Sequence, residues 1–191
     1  MAARATTRQK MLLGGVELLR ERGAAGVTID AILARTATPR GSVYHHFPGG
    51  RGQILSESLD LAGDAIAAII DESLKDGPVA GLERFAAFWR QILQASDFEA
   101  GCPVIAVAVG GAPDDELSHK VAAIVERWQA SLRACLVAAG LSPQRAVPLA
   151  TMAMASIEGA VILCRTTRTI TPLDDVIGEL TGMLAMVIPR R

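Results

Sequence analysis

Aromatic side chains are scarce in this 191-residue chain, which has two Trp, one Tyr and four Phe, so its interior has to be built from aliphatic residues. Ala, Leu, Val and Ile abound, and long stretches pass without turn signals. That pattern favours helices over the short β-branched runs of an all-β protein. Cysteine is rarer still: Cys102, Cys135 and Cys164 are odd in number, far apart and set in apolar sequence. They form no disulfide framework and read as small core residues of a reduced, cytoplasmic protein. Only three histidines occur, and adjacent His45 and His46 diverge by about 100° on a helix, unlike the i, i+4 pair of a zinc helix. Gly49-Gly50-Arg51-Gly52 lacks the Gly-Lys-Ser/Thr ending of a phosphate-binding loop, and no nucleophile with a paired base stands out. Nothing here points to an enzyme, a metal or a cofactor. The N-terminus has no unbroken apolar run with a cleavage site, so export is not expected. No internal repeat or low-complexity tract is present.

What is there is uneven. The formal net charge is −1, yet residues 1–56 carry +5 and the remainder −6. Only one end should attract a polyanion. The most apolar run, Ala146 to Cys164, approaches membrane-spanning length, but Pro148, Ser156 and Glu158 interrupt it and its small residues suit close helix packing. It reads as a buried bundle helix, and no membrane partner is expected.

The apolar periodicity predicts an all-α chain. A first helix runs from about Thr7 to Arg22, capped by Thr6 or Thr7 and stopped by Gly23. Two short helices follow, Thr28 to about Thr36 and Thr38 to about His46, the latter with a Thr cap and Pro39 at its first position. Gly52 to Lys75 is a long amphipathic helix. Further helices are expected at about Pro78–Ser96, Pro103–Val109, Asp114–Ala139, Pro143–Thr166 and Pro172–Ile188. The last two are long and apolar enough that a four-helix bundle shared between two subunits would cover them.

Two helices of about two turns, about three residues apart, have the form of a helix-turn-helix. A recognition helix needs a slim polar outer face and a few apolar anchors. Val43 and Phe47 can turn inward, which frees Arg40, Ser42, Tyr44 and His45 for DNA. The Thr28 hydroxyl and the backbone N–H groups near Thr38, at helix N-termini, suit phosphate contacts, and Arg51 at the start of the long helix suits another. Arg40 has the geometry to read guanine, while Tyr44 and His45 can reach phosphate or a thymine methyl.

The segment Thr28-Ile29, Ile32-Leu33-Ala34 and Gly41-Ser42-Val43-Tyr44-His45-His46-Phe47-Pro48 resembles the tetracycline-repressor (TetR) family of bacterial regulators. Gly49-Gly50-Arg51 and Gly101-Cys102-Pro103-Val104 make it similar to that family's LmrA/YxaF-like branch. The strong match spans about residues 6–59. The resemblance implies nine helices: three forming a DNA-binding domain, the last two a dimer interface, the middle ones a ligand cavity. It implies an operator-binding homodimer, most simply a repressor, with residues 1–51 as the reading domain and 52–191 as the effector and dimerisation domain, and by matching position it makes Thr28, Thr38, Pro39, Arg40, Ser42, Tyr44, His45 and Arg51 the DNA contacts. Two residues depart from the family pattern. Ala37 stands where the turn commonly has Gly, so a left-handed backbone there costs about 1 kcal/mol. Leu33 stands where a smaller Ala is common.

For a small hydrophobic or aromatic effector the candidate contacts are Ile66, Ile69, Phe85, Phe88, Trp89, Ile92, Cys102, Val104, Val107, Trp128 and Leu132, which are large or apolar at helical spacing. Two rival readings remain at this point. One is a helical dimerisation or adaptor module whose basic end meets protein or membrane. The other is a redox sensor built on Cys102, placed before Pro103 at a helix start where a thiol pKa can fall.

Overall fold

The computed structural model describes residues 6–111 and 114–189. Among them the secondary structure is helical, with no strand: α1 (Thr7–Gly26), α2 (Ile29–Thr36), α3 (Arg40–His46), α4 (Gly50–Ser73), a 3₁₀ turn (Leu74–Asp76), α5 (Pro78–Ala95), α6 (Pro103–Gly110), α7 (Asp115–Ala138), α8 (Pro143–Thr167) and α9 (Thr171–Val187). The all-α expectation therefore holds. Arg4, counted in the basic end, lies outside the described residues. The chain divides into two compact units. One takes the residues through Asp64 with Cys102–Ala122, the other Ala65–Gly101 with the residues from Ala123 onward.

In the first unit α1 packs on α2 and on α6. Its N-terminus is a reciprocal capping box: the Thr6 hydroxyl accepts from the Gln9 amide at 3.2 Å, and the Gln9 side chain accepts from the Thr6 amide at 2.9 Å. Gly23, expected to end α1, instead breaks it at φ 66° before a further turn reaches Gly26. Close helix approach explains two glycines that periodicity overlooked. A Cβ on Gly14 would meet the Thr36 methyl at 2.6 Å, and one on Gly15 would overlap the Ser58 hydroxyl. That hydroxyl is buried and donates to the Leu12 carbonyl at 3.2 Å.

Met11, Leu18, Leu19, Ile32, Val43, Phe47, Ile54 and Leu59 form the fully buried centre. Arg35 on α2 ties α1 from outside, donating to Glu21 at 2.6 and 2.9 Å and to Glu17 at 3.1 Å. The Arg35 guanidinium holds the Glu21 carboxyl below the ordinary carboxylate range.

In the second unit α9 packs on α8 and α5. Pro143 occupies the first position of α8, where its missing N–H costs nothing, and the Ser142 hydroxyl accepts from Arg145 at 3.3 Å. Leu149, Ile157, Val161, Leu173, Ile177, Leu180 and Leu184 carry this core together with Trp89 and Trp128. α8 is long and apolar enough to cross a membrane, yet one face packs in this unit while Val147, Met152, Ile162 and Leu163 are exposed. The sequence reading of α8 as a buried helix thus needs correcting for a single chain: a third of its most apolar window is buried.

Candidate DNA-reading site and effector cavity

The candidate reading site is made by α2 and α3. Thr28 caps α2, its hydroxyl accepting from the Ala31 amide at 3.1 Å. Asp30 sits in the first turn and Arg35 in the last, each complementing the helix dipole. The turn is then closed by Ala37 in the left-handed conformation, φ 51° and ψ 39°. The glycine geometry anticipated at this position is kept without glycine, at a cost of about 1 kcal/mol. Hydrogen bonds hold it: the Thr36 hydroxyl donates to the Ile32 carbonyl at 2.8 Å and lies 2.7 Å from the Thr38 hydroxyl. Thr38 was expected to cap α3. The residue at the cap is Pro39, extended and without a side-chain cap bond, and the Thr38 hydroxyl lies against Thr36 instead.

α3 has two faces. Val43 and Phe47 are fully buried, and the guanidinium of Arg8 lies 4.9 Å from the Phe47 ring centre. Pro39, Arg40, Gly41, Tyr44 and His45 are exposed, and Ser42 is half-buried. Open space surrounds Gly41, so that face is slim enough for a groove. The structure therefore brings Thr38, Pro39, Arg40, Ser42, Tyr44 and His45 together on one short element and its lead-in, with Thr28 at the start of the preceding helix.

Arg40 pairs with Asp30, both largely exposed. A surface ion pair of this kind is worth about 0–1 kcal/mol, so releasing Arg40 to another anion costs little. Arg51 is placed differently from the other candidates. Its guanidinium donates to the carbonyls of Val27 at 2.7 Å and Ala24 at 2.8 Å, so it anchors the first turn of α4 to the α1–α2 link. A basic residue at a helix start gave no sign of that backbone target.

The second unit holds a cavity of about 70 Å³. Of the sequence candidates, Phe85, Trp128 and Leu132 line it. Ile66, Ile69, Phe88, Trp89 and Ile92 do not, although Trp89 is fully buried with its ring edge-on to Phe85, centroids 6.3 Å apart. Cys102, Val104 and Val107 are buried in the first unit, where α6 meets α1. Much of the wall that sequence reasoning missed comes from α8 and α9, with Leu149, Met154, Ile157, Leu180, Met183 and Leu184, and the rest from the end of α4, α5 and α7, with Ile70, Leu82 and Leu136 among them. Helices α8 and α9 were assigned in the sequence to dimerisation, so their inward faces drew no attention. The pair of flexible methionines, Met154 and Met183, was the available signal.

Burial pushes the thiols of Cys135 and Cys164 up, away from the reactive thiolate form. Among the described residues no group of three or more His, Cys, Asp or Glu is arranged to hold a metal ion.

A short exposed helix on a buried apolar anchor, preceded by a capped helix and a tight turn, defines a helix-turn-helix regulator. Residues 12–57 match the model for bacterial regulatory proteins of the tetR family, and residues 78–179 match the C-terminal domain of LmrA/YxaF-like transcriptional regulators. The chain is 38% identical to the HTH-type transcriptional regulator Rv0196 of Mycobacterium tuberculosis over 96% of its own length and 97% of that protein's. It is 27% identical to the HTH-type transcriptional repressor DhaR of Mycobacterium sp. strain GP1, covering 90% and 89% of the two chains. Its fold superposes on a TetR regulatory protein from Rhodobacter sphaeroides with a TM-score of 0.84 at 22% identity, covering 93% of this chain and 98% of that one. The chain belongs to the TetR family, in its LmrA/YxaF-like branch. It is a DNA-binding transcriptional regulator, a class without enzymatic activity.

Proposed function

We propose that this regulator is a cytoplasmic repressor that binds a pseudo-palindromic operator as a homodimer and leaves it when a small hydrophobic or aromatic effector enters its second unit. One observation carries the reading: the exposed Arg40, Tyr44 and His45 stand on a helix whose opposite face, Val43 and Phe47, is fully buried. Inserted in a major groove, that helix offers Arg40 to base edges, with Thr28, Thr38 and Ser42 toward phosphates and the Pro39 ring against the DNA backbone. Arg51 contributes by holding the start of α4. Two copies lie about one DNA turn, roughly 34–36 Å, apart. The +5 charge of residues 1–56 supports a phosphate-dominated affinity. The repressor sign is supported by the name of the related DhaR.

Dimerisation is assigned to the outer faces of α8 and α9. Met152, Ile162 and Leu163 are exposed on α8 and Met186 on α9. Gly159, Gly178 and Gly182 face open space, which suits close helix approach. The functional division falls after Arg51, with reading residues before it and effector and dimer residues after. An effector releases DNA only by binding the non-reading arrangement more tightly than the reading one.

Genomic-fragment selection followed by sedimentation of wild type and Leu163→Glu tests the assembly. The wild type should sediment as a dimer and retain a palindromic fragment. Leu163→Glu should sediment as a monomer and bind that fragment roughly tenfold or more weakly, since loss of a buried interface residue costs about 2 kcal/mol or more. A monomeric wild type, or a variant that stays dimeric, refutes the interface.

A further inference from the structure

From the cavity of the second unit we infer the chemical class of its occupant: a small, uncharged, apolar molecule, or the apolar end of a larger one, recognised by shape and without a polar anchor. This rests on the reading that the second unit receives the effector. The cavity is about 70 Å³, well below the several hundred Å³ of sites for drug-sized ligands. Its wall is aliphatic or aromatic almost throughout; the side chains there with a polar group are Ser73, Trp128 and Glu158. Neither Trp128 nor Glu158 is without a partner inside the protein. Ser73 is itself buried at the end of α4. A site built for a cation would need a carboxylate free to compensate it, because burying an unpaired charge is prohibitive. An apolar void of this kind stays dry and takes up apolar guests. Met154 and Met183, one on each of α8 and α9, are the adaptable part of the wall, and their unbranched side chains let it widen around a guest.

Of the residues expected from the sequence to meet an effector, Phe85, Trp128 and Leu132 line this cavity, while Phe88, Trp89 and Cys102 do not. The inward faces of α8 and α9 complete the wall and would touch the guest. The helices proposed to join two copies are therefore the ones a guest would press upon, so occupancy has a direct route to dimer geometry.

The test uses the full chain with ¹³C-methyl-labelled methionine, and two probes of equal shape, isobutane and isopropylammonium. Isobutane should shift the methyl signals of Met154 and Met183 and leave those of Met11 and the exposed Met186 in place. Isopropylammonium should shift none of them at the same concentration. Filling the void with Ala153→Leu should weaken isobutane binding by roughly tenfold, since the added carbons occupy the guest's space. Should that variant fail to fold, Leu132→Ala keeps the test open: by enlarging the void it should bind benzene at least about threefold more tightly than wild type. Equal shifts from the ammonium probe overturn the inference, as does the absence of Met154 and Met183 shifts with either hydrocarbon in both wild type and Leu132→Ala. Operator affinity measured on the same samples separates the two readings. Methionine shifts without any change in DNA affinity, for these hydrocarbons, remove effector release by them and leave the chemistry of the cavity standing.

Discussion

The reading helices and the cavity wall are both apolar-cored helical packing, yet they are specified in opposite ways. In α2 and α3 nearly every residue has a local task. Thr28 caps, Thr36 and Thr38 hold the turn through Ala37, and Val43 and Phe47 anchor the helix. Around the cavity, long helices contribute interchangeable aliphatic residues, and two of its wall positions are methionine. Under the proposed function, the surface that has to match the fixed geometry of DNA is over-determined, whereas the cavity that has to accept a guest has slack. Local determination is also what makes a segment readable in sequence.

The contrast can be broken or sharpened by substitution. The largest effect is expected at Phe47, which is fully buried and faces Arg8. Phe47→Ala should destabilise the first unit by about 3–5 kcal/mol and abolish DNA retention, as measured by urea unfolding and gel shift. Retention of full DNA binding would show that α3 does not depend on its anchor. Next comes Arg40→Ala, which should leave the unfolding curve in place. If Arg40 reads a base, the cost is about 1–3 kcal/mol of operator affinity with relaxed preference at one position; if it touches phosphate alone, all sequences weaken alike. Competition binding against point-substituted fragments distinguishes the two.

Across the comparison, Met154→Leu in the cavity wall should cost less than about 1.5 kcal/mol, because volume-conserving swaps are tolerated where packing has slack. A loss as large as that of Phe47→Ala would erase the distinction between the regions. The smallest effect concerns acid. Arg35 depresses the folded-state pKa of Glu21, so the pair contributes stability in full above the unfolded value, about 4.3, and loses it as pH falls through the lower folded value. Both side chains being partly solvent-accessible, the contribution is about 1 kcal/mol or less. Glu21→Gln should lower the urea midpoint by that small amount at pH above about 4.3 and remove that part of its acid dependence, with little difference from wild type at lower pH.

Much of this architecture was legible before any coordinates. Helix order and the positions of α2 and α3 followed from caps, glycines and apolar spacing, since those signals act within a turn or two of the chain. Departures arose where a residue answered to something distant in sequence. Arg51 bonds to the carbonyls of Ala24 and Val27, and Gly15 makes room for Ser58. The cavity was only partly legible for the same reason. Phe85, Trp128 and Leu132 were foreseen as large residues on inward stripes, but which stripes face one another depends on helix packing that periodicity does not encode. Cys102, Val104 and Val107 show the cost of that gap: they were grouped with the cavity, and the chain folds them against α1.

The most direct test of the central claim is the affinity of the wild-type protein for a selected palindromic fragment, measured by fluorescence anisotropy across a salt series at fixed pH. The account predicts two chains bound per fragment and a logarithmic affinity that falls linearly with the logarithm of salt concentration, by about 0.9 for each phosphate neutralised. Affinity indifferent to salt, or one chain per fragment at saturation, would contradict it.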